Sequence, residues 1–125
     1  MDKIELQKRT KDFALRIIKM AESLPTTKTG AVIAKQIIRS STSVGANYRA
    51  VCRAKSKPDF IAKMGIVIEE ADETAYWLEL IEDTNLLTKS QLINLQSEIN
   101  ELLAIFVSSQ KTAKSKINNH KLEIK

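Results

Sequence analysis

"SKPDFIAKMGIVIEEADETAYWLELIED", Ser56 to Asp83, carries the most regular pattern in this 125-residue chain. Ile61, Met64, Ile68, Ala71, Ala75 and Leu78 recur at the three- and four-residue spacing of one helical face. Phe60, Val67, Thr74, Trp77 and Ile81 form a second stripe beside it. Ser56 is placed to cap the helix, with Pro58 in its first turn and Asp59 at the third position, a variant of the capping box. An apolar surface this wide predicts burial on more than one side, so the helix needs neighbours on both flanks.

Working outward, the flanking segments supply those neighbours. Phe13, Ile17, Ala21 and Leu24 line an earlier helix that Pro25 punctuates, because a residue before proline is pushed out of helical geometry. A second helix begins in "TTKTG" and runs through Ile33, Ile37, Ser41, Val44, Tyr48 and Val51 towards "KSKPD". "DTNLL" (Asp83–Leu87) reads as a break with Asn85 as a C-terminal cap. "TKSQ" (Thr88–Gln91) is a capping box for a fourth helix lined by Leu92, Leu95, Ile99, Leu102, Leu103 and Phe106. No period-2 segment competes with these helices. Short links favour antiparallel neighbours, so the expected fold is an all-α, antiparallel up-down four-helix bundle over residues 1–109. Residues 110–125, "QKTAKSKINNHKLEIK", are expected to form a Lys-rich, flexible C-terminal tail.

Composition narrows the function classes. With 43% hydrophobic and 28% charged residues, the chain can build one core without covalent staples. Cys52 is the single cysteine, which rules out an intrachain disulfide and fits a cytoplasmic setting. No run approaches the roughly 20 apolar residues of a membrane span, so no membrane partner is expected. The N-terminal segment lacks the uninterrupted apolar core of a signal peptide.

Net charge is +5, and its distribution matters more than its size. Residues 28–57 hold seven Lys or Arg and no acid, while residues 58–84 hold one Lys and eight acids. These two segments are adjacent and expected to pair antiparallel, so much of their charge cancels locally. The tail adds five Lys against one Glu, and residues 1–109 alone carry only +1. A basic groove on the folded body is therefore weakly indicated, whereas a Lys-rich tail can add phosphate affinity.

Signals for catalysis fail one by one. His120 is the only histidine and lies in the tail. No phosphate-binding loop, dinucleotide fingerprint or nucleophile elbow is present. The acidic run Glu69–Asp83 offers carboxylates at i,i+3, but a di-iron bundle also needs histidines. Catalytic, cofactor and metal sites are accordingly expected to be absent. Cys52 could be activated by Arg49 and Arg53, although a lone helical cysteine is more commonly a packing residue.

The second helix contains "RSSTSVGANYRAVCRAKS" (Arg39–Ser56), with four cations, no carboxylate and a row of small residues. Small side chains permit close helix approach. Arg39, Ser43 and Asn47 are expected to form a polar seam with Glu70 and Glu73 of the acidic helix. That leaves Arg49, Arg53, Lys55 and Lys57, with Lys111, Lys114 and Lys116 of the tail, as candidate nucleic-acid contacts.

Arg39-Ser40, Ser43-Val44, Ala46-Asn47-Tyr48-Arg49, Asp59-Phe60 with Lys63, and Glu70-Ala71 with Glu73 and Trp77-Leu78 together resemble the four-helix-bundle proteins of 23S ribosomal RNA intervening sequences. Leu24-Pro25 and Phe13 fit too, and the likeness spans roughly Thr10 to Phe106. The resemblance implies a bundle that assembles as a ring-like homopentamer, with no enzymatic activity and no cofactor. RNA binding is inferred for such proteins from gene location. A distantly similar group serves as nucleic-acid-binding accessory subunits of reverse transcriptases, which implies an alternative role as an interaction scaffold. Ala50 departs from the pattern, since the family usually carries Glu there.

Overall fold

The structure is a computed structural model that describes the backbone of residues 1–124 and the side chains of residues 1–119. Four helices follow in order: α1 (Lys3–Glu22), α2 (Lys28–Cys52), α3 (Lys57–Asp83) and α4 (Lys89–Ile124). They pack as an all-α, up-down bundle in which α2 lies against α1 and α3, and α3 against α4. Contact between α1 and α4 closes the bundle and is the thinnest of the four interfaces.

Local chemistry sets each boundary. Asp2 caps α1 by accepting from the Glu5 amide at 2.8 Å, and Thr27 caps α2 through the Gly30 amide at 3.1 Å. Ser56 accepts from the Asp59 amide at 3.1 Å, and Asp59 reaches back to the Lys55 amide at 3.0 Å, one residue before the cap, a variant of the capping box at α3. Asn85 takes the left-handed conformation, φ 58°, just past α3. Its amide bonds to the Glu82 carbonyl and that of Leu86 to the Ile81 carbonyl, the paired closure of a Schellman cap. Thr88 and Gln91 bond reciprocally at the start of α4.

On α3 the solvent-free seam is Met64, Val67, Ala71, Thr74, Leu78 and Ile81. It draws alternately from both stripes, while Ile61, Ile68, Phe60 and Trp77 lie half-buried on its flanks. Phe13, Ile17, Ile37, Val44, Leu92, Ile99, Leu102 and Phe106 complete the core.

Two close approaches depend on glycine. A Cβ on Gly30 would stand 2.0 Å from the Pro25 carbonyl oxygen, so the α1–α2 turn folds over that position only because it has no side chain. A Cβ on Gly45 would meet Thr10 Oγ1 at 3.3 Å, where α1 crosses α2.

The tail differs from expectation. Helix α4 does not end near Phe106 but continues through the Lys-rich segment, with Ala113 buried and Gln110 donating to the Ile61 carbonyl of α3 at 3.1 Å. The face is continued there by Gln110, the buried Ala113 and the half-buried Ile117, a sparser stripe than the one before it. The His120 side chain lies outside the described residues.

Candidate functional site

Two polar regions are built on this frame. The first lies between α2 and α3. Arg39 donates through Nη1 to Glu70 at 3.2 Å and through Nη2 to Glu73, and its Nε reaches Gln36 at 3.2 Å. Trp77 Nε1 donates to Glu73 at 2.9 Å. The indole donor first, and the Arg39 guanidinium with it, hold the Glu73 carboxyl below its usual value against the opposing effect of burial. The same carboxylate raises Arg39.

This arrangement corrects the expected seam in two respects. The Arg39 side chain is 49% exposed, so the cluster is a surface clasp rather than a buried network. Asn47 does not join it; Nδ2 turns back to the Ser43 carbonyl at 2.9 Å and the Ser43 hydroxyl at 2.8 Å. The reason is register. Ser40 meets Thr74, so seven residues further along α2 the antiparallel pairing sets Asn47 level with Val67, beyond Glu70. The buried polar contact between these helices is instead Thr74 Oγ1 donating to Ser40 Oγ at 2.9 Å, with neither residue solvent-exposed.

A second ion pair was not legible in the sequence. Arg9 of α1 grips Glu98 of α4 through Nε at 3.0 Å and Nη2 at 2.6 Å, with Glu101 at 3.2 Å. The Glu98 carboxylate raises the Arg9 guanidinium above its usual value. This fork spans the thinnest interface of the bundle.

The second region is the bundle end formed by the start of α1, the α2–α3 link and the latter part of α4. Arg49, Arg53, Lys55, Lys57, Lys111, Lys114 and Lys116 are all exposed there or nearby. Among the described residues, none of the seven forms an ion pair. Lys55, Lys57 and Lys116 meet around one cavity, together with Lys3. Lys111 and Lys114 do not line it, nor do the exposed Arg49 and Arg53. Cys52 also lines the cavity, half-buried beside Tyr48. Burial, and Cys52 next, push the Tyr48 hydroxyl up, so it remains a neutral phenol. Among the described residues no three His, Cys, Asp or Glu side chains gather as metal ligands would, and no helix is long and apolar enough to cross a membrane.

Residues 2–108 match the sequence family described as 23S rRNA-intervening sequence protein. The chain belongs to that family. A crystal structure of a protein of unknown function from the S23 ribosomal protein family of Bacteroides thetaiotaomicron is 37% identical and aligns with a TM-score of 0.78. That likeness covers 84% of this chain and 97% of the other. A search of curated proteins returned no match. Neither the 23S rRNA-intervening sequence description nor that of the crystallised relative names a catalytic activity. The matched span takes in the Arg39 cluster and the Arg9–Glu98–Glu101 fork, and of the seven unpaired cations it leaves out Lys111, Lys114 and Lys116.

Proposed function

We propose that this 23S rRNA-intervening sequence protein is a noncatalytic, cytoplasmic, homo-oligomeric bundle that binds nucleic acid through its basic end. One observation carries the reading. Lys8, Arg9, Arg39 and Lys63 are paired with carboxylates, while Arg49, Arg53, Lys55, Lys57, Lys111, Lys114 and Lys116 are among the cations with no carboxylate partner in the described residues, and Lys55, Lys57 and Lys116 gather with Lys3 around one end. Cations left unpaired on one end are free to displace counterions from phosphate, the term that dominates nucleic-acid affinity. A ring of five copies, the assembly implied by the family likeness, would repeat that end five times and raise the local field.

The test is binding of a fluorescently labelled single-stranded RNA, followed by anisotropy. Wild type should bind, and the Arg49→Gln, Arg53→Gln, Lys55→Gln, Lys57→Gln variant should lose at least tenfold in affinity. Equal affinity for both would refute the assignment of these residues.

A second reading, an interaction scaffold or accessory subunit without direct RNA recognition, draws on a different observation. Leu15, Val32, Ile66, Tyr76 and Ile93 expose large apolar side chains on all four helices. Such surface is suited to burial against copies or partners. An oligomer that forms at micromolar concentration yet binds no RNA would favour this second reading.

A further inference from the structure

A cavity of about 790 Å³ opens at the basic end of the bundle, where α1 starts, α2 stops and α4 runs past the first turn of α3. Its volume falls within the roughly 300–1,000 Å³ of small-molecule sites. Leu6, Tyr48, Val51, Met64 and Phe106, contributed by all four helices, form its walls. Each is at least nine-tenths buried and backs the cavity from beneath, while the half-buried Phe60 and Ile105 supply apolar surface that faces it. Lys3, Lys55, Lys57 and Lys116 stand at its mouth. The one carboxylate among the lining residues, Asp2, is engaged in capping α1.

The chemistry of the lining selects the occupant. The cavity is also lined by the hydroxyls of Tyr48, Ser56, Ser109 and Thr112 and by the Cys52 thiol; of these, Ser56 is engaged in capping α3 and Thr112 donates to the Ser108 carbonyl. A ligand polar along its whole length would recover only part of the hydrogen bonds it loses to water. A hydrocarbon chain loses nothing. The mouth, in contrast, presents four ammonium groups with no carboxylate partner among the described residues, and calls for a negative charge at the end of that chain. We infer that this cavity binds a single-chain aliphatic carboxylate, with its tail between α2, α3 and α4 and its head group at Lys55, Lys57 and Lys116. This goes beyond nucleic-acid binding, which needs the exposed lysines but not the apolar cleft beneath them.

The experiment uses the full chain and a series of saturated carboxylates from decanoate to hexadecanoate, each below its micellar concentration, displacing a fluorescent fatty-acid analogue. Affinity should rise by up to about fourfold for each added methylene until the cavity is filled. The alcohol of the same chain length should bind at least tenfold more weakly than the acid. In the Lys55→Gln, Lys57→Gln, Lys116→Gln variant that difference should vanish, with alcohol binding unchanged. Ala113→Phe, on the cavity wall, should block both ligands. Affinity independent of chain length, or acid and alcohol binding equally to wild type, would overturn the proposal. So would the absence of binding at every chain length, the result expected if a second copy of the protein covers this end. The wild-type series and the lysine variant decide the matter even if Ala113→Phe fails to fold, and loss of RNA binding in an independent assay leaves these outcomes unchanged.

Discussion

Thr74 on α3 donates its hydroxyl to that of Ser40 on α2 at 2.9 Å, in a position that solvent does not reach. The single Thr74 proton is shared between Ser40 and the Glu70 carbonyl, also at 2.9 Å, while Ser40 donates its own to the Ile37 carbonyl at 3.4 Å. The pair fixes the register of the two oppositely charged helices, because a slide of one turn would leave both hydroxyls against hydrocarbon. Thr74→Val keeps the shape but leaves Ser40 only its long bond to the Ile37 carbonyl, and should cost about 1–2 kcal/mol. Thr74→Val and Ser40→Ala together should cost less than the two single changes summed, since both remove the same interhelical bond. Urea denaturation at fixed protein concentration measures both.

Glycine positions should respond with opposite signs. Gly30→Ala drives a methyl into the Pro25 carbonyl and should destabilise by about 1–3 kcal/mol. At Gly65 the nearest atom to an added Cβ is Gln110 Nε2 at 3.5 Å, an ordinary contact. Gly65→Ala should therefore gain about 0.5–1 kcal/mol from lower backbone entropy in the unfolded chain. Thermal melts of the two variants test the contrast.

Removing Arg9 should loosen the α1–α4 interface more than its surface position suggests. Arg9→Met leaves Glu98 and Glu101 facing one another without a cation, and the fork is only about one-fifth exposed on the Arg9–Glu98 side. A loss of about 1–3 kcal/mol is expected, between the values for exposed and buried pairs. Adding Glu98→Gln should return part of it. Hydrogen exchange should report the loss first in α1.

The Arg39–Glu73–Trp77 cluster sets an acid limb. The folded-state value of Glu73 lies below its ordinary 4.5, so its contribution to stability is fully present above that value and is lost as pH falls through the folded one. Melting temperature should drop on acidification below about pH 5. Glu73→Gln should be less stable at neutral pH and show a shallower drop. An acid limb of unchanged steepness in that variant would assign the effect to other carboxylates, with Asp59, lowered by Lys63, the next to test.

The helices, their caps and the bundle were legible because periodicity and capping are local signals, carried by residues a few positions apart. Asn85 and the Ser56–Asp59 box show this well. The clasp was half legible: opposite charge on adjacent helices indicates that Arg39 meets Glu70 and Glu73, but not that the meeting is exposed. Asn47 misled because position on a helical face does not give the height of its partner on an antiparallel neighbour. Arg9 and Glu98 are 89 residues apart, beyond any spacing rule. Ser40 and Thr74 resembled packing residues, since hydroxyls inside an apolar stripe carry no mark of whom they bond. The α4 extension was missed because Ala113 and Ile117 are too sparse within a polar segment to stand out as a stripe, and Gln110 bonds α3 through its amide.

The salt dependence of RNA binding tests the division between paired and unpaired cations most directly. For single-stranded RNA the log–log slope falls by about 0.7 for each phosphate contact removed, so the Arg49→Gln, Arg53→Gln, Lys55→Gln, Lys57→Gln variant should lose roughly two to three units of slope. Arg39→Gln, which removes a cation already paired with Glu70 and Glu73, should leave the slope unchanged. A slope unaltered by the fourfold change, or lowered as much by Arg39→Gln, would contradict the assignment of phosphate binding to the basic end.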